Sequence, residues 1–477
     1  MSRAGDEPTA AAAPPLARGL DFRPGMIRTL VRFFVILGQL LYQTVRYLGG
    51  RLGILALALR WDADRRRERA ARLAGKCVVD FLRNLGPTFI KLGQIMSARP
   101  DVLPPHVIAE LRLLQNQLPP FAFSTARRTI EEDLGRPLEE LFGDFEKQPL
   151  SAASIAQVHE GHLHTGEHVA VKVQRPEIED TIRRDGSILR AVASLFHLIP
   201  GLRNLQLPKL EQAFARAILA QLDFPLEIRN NRRFAENFKE LDFVRLPEIY
   251  DEHCGPRVIT MSFVQGEKLT EVLDDPPLDR PLMAKRIIDI YFQMAFEDFL
   301  LHSDLHPGNI LVEPDGTYVL IDTGLVTEVP FHYLRKYLRV SIGVMLLDGR
   351  IIADGYLEGY EISPEKRRAA AADIERLAEK YRGKSFFEVE ETKVILELLG
   401  VMRRHRIYLD AEWTGLVLSD VTFEGIAKMV SEDVDFLKTL IDKLPAYVER
   451  MQARDPGFLG RLKIEPEVTL PLGRPGA

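Results

Sequence analysis

Residues Leu300 to Val326, LLHSDLHPGNILVEPDGTYVLIDTGLV, constrain this chain more than any other stretch. His302, Asp304 and Asn309 give the pattern H-x-D-x-x-x-x-N, and Asp322-Thr-Gly324 follows thirteen residues after Asn309. Between them lie an apolar run, a Pro-Asp-Gly turn and a second apolar run, which predict a β-hairpin. A hairpin returns Asp322 to the side of Asn309. A carboxylate beside an amide oxygen suits a hard, oxygen-seeking cation such as Mg2+, with phosphate oxygens and water completing its shell. Asp304, on the loop before the hairpin, is then placed to orient or deprotonate a phosphate acceptor. Each piece alone could be loop punctuation, but the spacing and the upstream Val169-Ala-Val-Lys172 strand argue for a nucleotide and metal site.

Upstream, SAASIAQVHEGHLHTGEHVAVK (151–172) reads as two short alternating runs joined by His-Thr-Gly-Glu, a second hairpin. Helical patterns occupy 177–240 and everything from 281 onward, so a small sheet precedes a mostly helical half: a two-lobed α+β layout. His159, His162, His164 and His168 are spread along the hairpin strands, which disfavours a structural zinc site. No G-x-S-x-G elbow accompanies His302-Ser-Asp304, which disfavours a Ser/His/Asp hydrolase.

The whole chain is acidic, with net charge -5, and lacks the basic domain expected of a nucleic-acid binder. Its first hundred residues, however, hold 17 Lys and Arg against 7 Asp and Glu. Two cysteines, Cys77 and Cys254, exclude a disulfide framework and fit a reducing compartment. Residues 1–25, rich in Ala and Pro, predict a flexible arm. Within 26–60 the longest uncharged run, between Arg32 and Arg46, holds thirteen residues, short of the roughly 20 that a bilayer span requires. On a helical wheel Leu30, Phe33, Phe34, Leu37, Leu41, Val45 and Leu48 share one face, with Arg28, Arg32, Gln39, Gln43 and Arg46 opposite. Two readings fit: a helix lying in a membrane interface, or one packing its apolar face on the protein's own core. The run Arg65-Arg-Arg-Glu-Arg69 would add to a membrane-facing charge or form a solvated face.

Six segments together resemble the UbiB/AarF family of atypical kinases, within the protein-kinase-like superfamily. They are KLGQIMSARPDVLP (91–104), SAASIAQVH (151–159), VAVK (169–172), QLDFPLEIRN (221–230), HSDLHPGN (302–309) and DTG (322–324). FEGIAKMVSEDVDF (423–436) looks like that family's C-terminal helical motif, so the similarity spans about residues 80–440. The resemblance implies an α+β, two-lobed kinase-like fold that binds ATP or ADP with Mg2+. Lys172 would contact phosphates and pair with Glu227, Asn309 and Asp322 would hold the metal, and Asp304 and Lys91 would act in catalysis. Ser151, Ala152, Ala153, Ser154 and Ile155 would cover the nucleotide, and Ser262, Phe263 and Val264 would meet adenine. Lys91 and Gln94 would reach into the site from a helical extension and meet a Glu-x-Asp pair.

This chain departs from the pattern in three places. Gln221 replaces the expected Glu, so Lys91 would make a neutral bond there or turn to Asp223. Pro225 would kink the helix bearing Asp223 and Glu227 or make it begin afresh. Ala156 stands where the family carries glycine, which stiffens the loop.

The implied organisation is a flexible arm (1–25), a basic amphipathic segment (26–75), a Lys-x-Gly-Gln extension (76–125), an N-lobe with the alanine-bearing loop and a helical insert (126–262), a C-lobe (263–450) and a polar tail (451–477). The implied function is a MgATP-dependent atypical kinase or ATPase supporting ubiquinone or related lipid biosynthesis. It would sit in the cytoplasm, bound peripherally to an anionic phospholipid surface, with quinone-biosynthesis proteins or a lipid as further partners. The alternatives are a non-catalytic nucleotide-binding scaffold of a membrane enzyme complex and a Ser/Thr protein kinase. The latter lacks its G-x-G-x-x-G loop and A-P-E anchor here.

Overall fold

The computed structural model describes residues 26–56, 63–97, 103, 105–111, 114, 119–198, 207–382, 391–434, 436–454 and 456–457. The arm at 1–25 and nearly all of the tail lie outside the described residues.

The chain opens with α1 (Met26–Ala56), α2 (Ala63–Leu85), α3 (Pro87–Ser97) and α4 (Pro105–Leu111). Gly86, at φ +91°, makes the turn that only glycine adopts without strain, and Pro87 starts α3, where a missing N–H costs nothing. Gly93 is closely packed: a Cβ there would stand 2.3 Å from a Leu114 methyl and 2.8 Å from a Leu82 methyl, so both leucines would have to shift.

Helix α1 is turned opposite to an ordinary amphipathic helix. Its polar face is the one against the protein. The Arg32 guanidinium donates to both oxygens of the fully buried Asp185 (2.7 and 2.8 Å) and to the carbonyl of Leu85 (2.6 Å). It also lies over the Phe89 ring. Gln43 is buried, and Arg46 pairs with Asp80 at 2.5 Å. Leu30, Phe33, Phe34, Leu37, Leu41, Val45 and Leu48 are all exposed, Phe34 and Leu41 by 64%. Among the described residues, no part of the core covers that apolar face. The reason lies in the neighbours, since α2 and α7 (Ile178–His197) offer carboxylates and a free helix-end carbonyl where the core reading needs an apolar groove. No helix among the described residues is long and apolar enough to cross a membrane.

After α5 (Phe123–Leu134) and the short α6 (Leu138–Leu141) comes the N-lobe sheet. Its strands are β1 (Asp144–Phe145), β2 (Ser151–Ala152), β3 (Ala156–His162) and β4 (His168–Gln174), and β6 (Val258–Ser262) closes it. All pairings are antiparallel, in the order β1-β3-β4-β6 with β2 also on β3. Alternation decides the faces: Val169, Val171 and Val173 are fully buried against Ala126, Ile130, Leu141 and Phe142, which turns Ala170 and Lys172 to the other side. The predicted hairpin is present, with Lys172 opposite Val158 and Ile259.

The insert holds α7, α8 (Leu207–Ala220) and α9 (Phe224–Asn237). The chain does not kink at Pro225; helix α9 begins afresh there. Asp223 caps it, accepting from the Leu226 N–H at 2.8 Å, and Pro225 sits in the first turn.

A parallel pairing of β5 (Val244–Arg245) with β10 (Tyr318–Leu320) carries the chain into the C-lobe, whose second sheet adds β9 (Ile310–Val312) and β7 (Glu267–Lys268). Beside it, β8 (Leu300–His302) pairs with β11 (Val326–Glu328). The remaining helices are α10 (Arg280–Phe292), α11 (Phe331–Met345), α12 (Gly349–Leu357), α13 (Pro364–Tyr381), α14 (Glu391–Arg404), α15 (Ala411–Val430) and α16 (Phe436–Arg454). They enclose one large core with Tyr291, Phe296, Trp413 and Phe423 fully buried. This is the expected two-lobed α+β architecture. The 75/76 and 125/126 boundaries fall inside α2 and α5, because shifts in composition there do not coincide with helix ends.

Candidate active site

The hairpin β9–β10 sets the metal-type pair. Its register matches Ile310 with Leu320, and the Ile321 N–H donates to the Asn309 carbonyl at 3.0 Å, so the next residue, Asp322, emerges beside Asn309. Asp322 takes φ +61°, a left-handed conformation rare for a residue with a side chain and characteristic of functional sites. Asn309 is buried and its amide N–H donates to the Asp304 carbonyl at 3.0 Å, which leaves its Oδ1 as the oxygen available to a ligand.

The DTG loop is bound to α9 at both ends of one residue. The Thr323 hydroxyl donates to the Glu227 carbonyl (3.1 Å), and Asn230 Nδ2 donates to the Thr323 carbonyl (3.1 Å). This is what brings Glu227 across from β4. The Lys172 ammonium donates to Glu227 Oε1 at 2.6 Å and to Asp322 Oδ1 at 3.2 Å. Burial opposes the lysine's charge, but the Asp322 and Glu227 carboxylates outweigh it and raise its pKa. Burial also opposes ionisation of Asp322, yet the Lys172 and Lys91 ammonium groups hold its carboxyl well below the usual range. Glu227 is the weaker acid of the two that share Lys172. Burial pushes it up to about 6, with Lys172 only partly offsetting and Asp322 adding repulsion. Burial likewise holds His302 below the ordinary imidazole value, so the ring stays neutral under Asp304 and Asp322.

Lys91, on α3, does not meet the 221–223 pair. Its Nζ donates to Asp304 Oδ2 at 2.7 Å, and Gln221 Nε2 donates to that same oxygen at 3.2 Å. The expected neutral bond to Gln221 or turn to Asp223 is overturned for an electrostatic reason. Asp304 is the carboxylate within reach, Gln221 carries none, and Asp223 is committed to capping α9. Gln94 Nε2 donates to the Leu114 carbonyl at 3.3 Å.

The alanine-bearing loop is a tight turn with Ser151 and Ala152 paired to β3. Ala153 N–H donates to the Ala156 carbonyl at 2.8 Å, and Arg175 grips the Ala153 carbonyl from its side chain (2.8 Å) and the Ile155 carbonyl from its backbone (2.7 Å). Ser154 is buried, and Ile155 packs on Ile178, Ile182 and Phe214. Ala156 is a core residue against Phe224, Ile228 and Ile259. At the interlobe strand, Ser262 N–H donates to the Glu248 carbonyl and Phe263 N–H to the His168 carbonyl (2.8 and 2.9 Å), so Val264 follows as the next hinge residue. The histidines are dispersed: His168 stacks between His162 and Phe263, His159 bonds Glu146, and His164 bonds Glu139.

Arg175, Asn230, Thr323 and the Asp304 role of Gln221 were not singled out in the sequence. Asn230, three residues after Glu227 and so on its helix face, was the one legible signal.

A small antiparallel sheet presenting a Lys172–Glu227 pair to a helical lobe that carries Asp304, Asn309 and Asp322 defines a kinase-like protein of atypical kind. The ABC1 atypical kinase-like domain matches residues 113–354. Proteins named "Probable protein kinase UbiB" are similar over most of the chain. That of Pseudomonas paraeruginosa is 32% identical over 397 residues, 80% of this chain and 73% of its own. The Aeromonas salmonicida protein is 32% identical, over 74% of this chain and 67% of its own. The chain belongs to the UbiB family of ABC1-type atypical kinases. A solved structure, "The complex structure of Rv3197-erythromycin from Mycobacterium tuberculosis", aligns at TM-score 0.46 and 21% identity, covering 66% of this chain and 84% of that one.

Proposed function

We propose that the protein binds MgATP between Lys172 and the Asn309–Asp322 pair and cleaves or transfers the terminal phosphate, in support of ubiquinone or related lipid biosynthesis at a membrane surface. The observation that carries this reading is the Lys172 ammonium held between Glu227 and Asp322 at 2.6 and 3.2 Å. Lys172 would bind phosphate oxygens, and Glu227 fixes its direction. Asp322, held ionised, and Asn309 Oδ1 form a hard-oxygen donor set suited to Mg2+, and the buried Glu227 Oε2 beside them has no hydrogen-bond partner among the described residues. Bound Mg2+ would neutralise charge on the phosphates. Asp304 would orient the acceptor, and α3 would exclude large acceptors and bulk water. Adenine would meet backbone groups from Ser262 to Val264, with Val264 the best candidate donor because its two predecessors are engaged in the sheet.

The outward apolar face of α1, together with exposed Arg28 and Arg51 on the same helix and exposed Arg65, Arg67 and Arg69 on α2, supports peripheral contact with anionic phospholipid. The second reading, a nucleotide-binding scaffold, draws on the Lys91–Asp304 ion pair, which occupies the acceptor-orienting carboxylate. MgATP turnover by the full chain, with and without anionic liposomes, separates them. Phosphate release raised by lipid and lost in Asp322→Asn is the expected result. Bound nucleotide without turnover in any condition favours the scaffold, and efficient transfer to peptides favours a Ser/Thr kinase.

A further inference from the structure

Helix α10 does not end as a regular α-helix. It continues through Gln293–Glu297 as a π-turn, closed by the Asp298 N–H donating to the Gln293 carbonyl at 3.0 Å. On a regular helix residues four apart drift by roughly 40° at each step, so Asp289 and Glu297 would point roughly 80° apart. The wider i to i+5 turn reverses that drift over the second step, and Asp289, Gln293 and Glu297 all line one cavity of about 320 Å3. Turns of this kind are rare and frequent at functional sites.

Helix α16 supplies the opposite wall with Lys443, Ala446, Tyr447 and Arg450, and Leu241 and Phe243 form an apolar side. Ala446, between the two cations, has no side chain beyond Cβ and leaves the space open. Lys443 spends one hydrogen on Asp289 Oδ1 (2.5 Å), and Lys285 takes the other Asp289 oxygen (2.7 Å). Arg450 pairs with Glu297 through one terminal nitrogen and lies over the Tyr447 ring. Tyr447 is only 3% exposed, yet its hydroxyl makes no hydrogen bond among the described residues. Burial, aided by Glu297, holds that phenol above its ordinary value, so it stays a donor. Open acceptors are fewer: Asp289 is taken on both oxygens, and Gln293, which donates to Asp298 at 3.1 Å, leaves its amide oxygen beside the second oxygen of Glu297. The remaining hydrogens of Lys443 and Arg450 and the phenol O–H therefore outnumber them.

We propose that this cavity binds a small oxyanion-headed amphiphile, a carboxylate or phosphate on an apolar body. The head lies between Lys443, Arg450 and the Tyr447 hydroxyl, and the body rests on Leu241 and Phe243. The volume falls at the lower end of small-molecule sites. Both cations are already held by carboxylates, so a ligand does not have to order two long side chains, and their remaining N–H groups give charge-assisted bonds to an oxyanion. The cavity shares no residue with the nucleotide site and stands independently of it.

Calorimetric titration of the full-length protein with octanoate, octyl phosphate, inorganic phosphate and octanol tests this. Octanoate or octyl phosphate should bind at one site, with octanol and inorganic phosphate each at least about tenfold weaker, since each lacks half of what the cavity recognises. Tighter octyl phosphate identifies a lipid phosphate as the source of the head, and tighter octanoate a carboxylic acid. Binding should be lost in Ala446→Leu, which fills the space, and fall about tenfold in Arg450→Gln and about threefold in Tyr447→Phe, which removes only the hydroxyl. Ala446 is exposed and the hydroxyl holds no partner, so the thermal midpoints should stay at the wild-type value. If Ala446→Leu nevertheless lowers its midpoint, Tyr447→Phe and Arg450→Gln decide. Octanol matching octanoate overturns the proposal. So does amphiphile affinity unmoved by the α16 substitutions, which would place the ligand elsewhere, on the outward face of α1.

Discussion

The hairpin β9–β10 is apolar along both strands and buried on both faces, whereas helix α1 separates apolar from polar residues and buries the polar side. Ile310, Val312, Tyr318, Val319 and Leu320 are all buried, whereas α1 turns Phe34 and Leu41 outward and buries Gln43 and the Asp185 partner of Arg32. Patterning identifies which face of an element is apolar. What covers that face depends on the groups opposite it. The hairpin meets an apolar lobe; α1 meets Asp80, Asp185 and the carbonyl of Leu85.

The sharpest way to break this contrast is Arg32→Ala. It leaves Asp185 buried without its cation, which costs about 3 kcal/mol, so denaturant unfolding should show lower stability and α1 amides should lose exchange protection. If α1 were held by apolar contacts instead, neither would change. Phe34→Glu with Leu41→Glu attacks the outer face. Stability should stay within about 0.5 kcal/mol per site, as for ordinary surface substitutions, while sedimentation with anionic vesicles falls at least about tenfold.

At the buried site, acidity sharpens the comparison. Glu227, pushed up to about 6, becomes neutral as pH falls through that value, and Lys172 loses one of its two carboxylate partners. Affinity for MgATP is expected to drop about threefold between pH 7 and 5.5, a change of about 0.65 kcal/mol, and Glu227→Gln should flatten the profile. The stability contribution of Glu227 runs the other way. Its folded pKa lies above the ordinary 4.5, so the fold favours the protonated form. That contribution is complete below 4.5 and is lost as pH rises through about 6. Smallest is Ala153→Gly. The turn is already closed by the Ala156 carbonyl and by Arg175, so extra backbone freedom should change the preference between ATP and ADP by only about twofold, read by competition binding.

Local pattern made much of the site legible. The two hairpins followed from alternation and turn residues, and Asn309 and Asp322 became neighbours through the β9–β10 register alone. Pro225 was legible as a break, and its role as a helix start needed only Asp223 as the cap. The partner of Lys91 was not legible, because Asp304 lies 213 residues away and competes with nearer candidates only in three dimensions. The orientation of α1 was hidden for the same reason: Asp185 is 153 residues distant, and nothing within α1 records that a carboxylate awaits its arginine. The alanine loop lay between these cases. Its stiffness was readable from missing glycines, but the clamp that fixes it comes from Arg175, beyond both strands of the β3–β4 hairpin.

The close approach at Gly93 has a mechanical consequence. Because α3 packs against Leu82 of α2 and Leu114 at Gly93, moving the helix that carries Lys91 requires those leucine side chains to repack with it. Arg32, gripping Leu85, Phe89 and Asp185 at once, rivets α1 to the end of α2, to α3 and to α7, so a displacement of the helix that carries Lys91 is felt in α1.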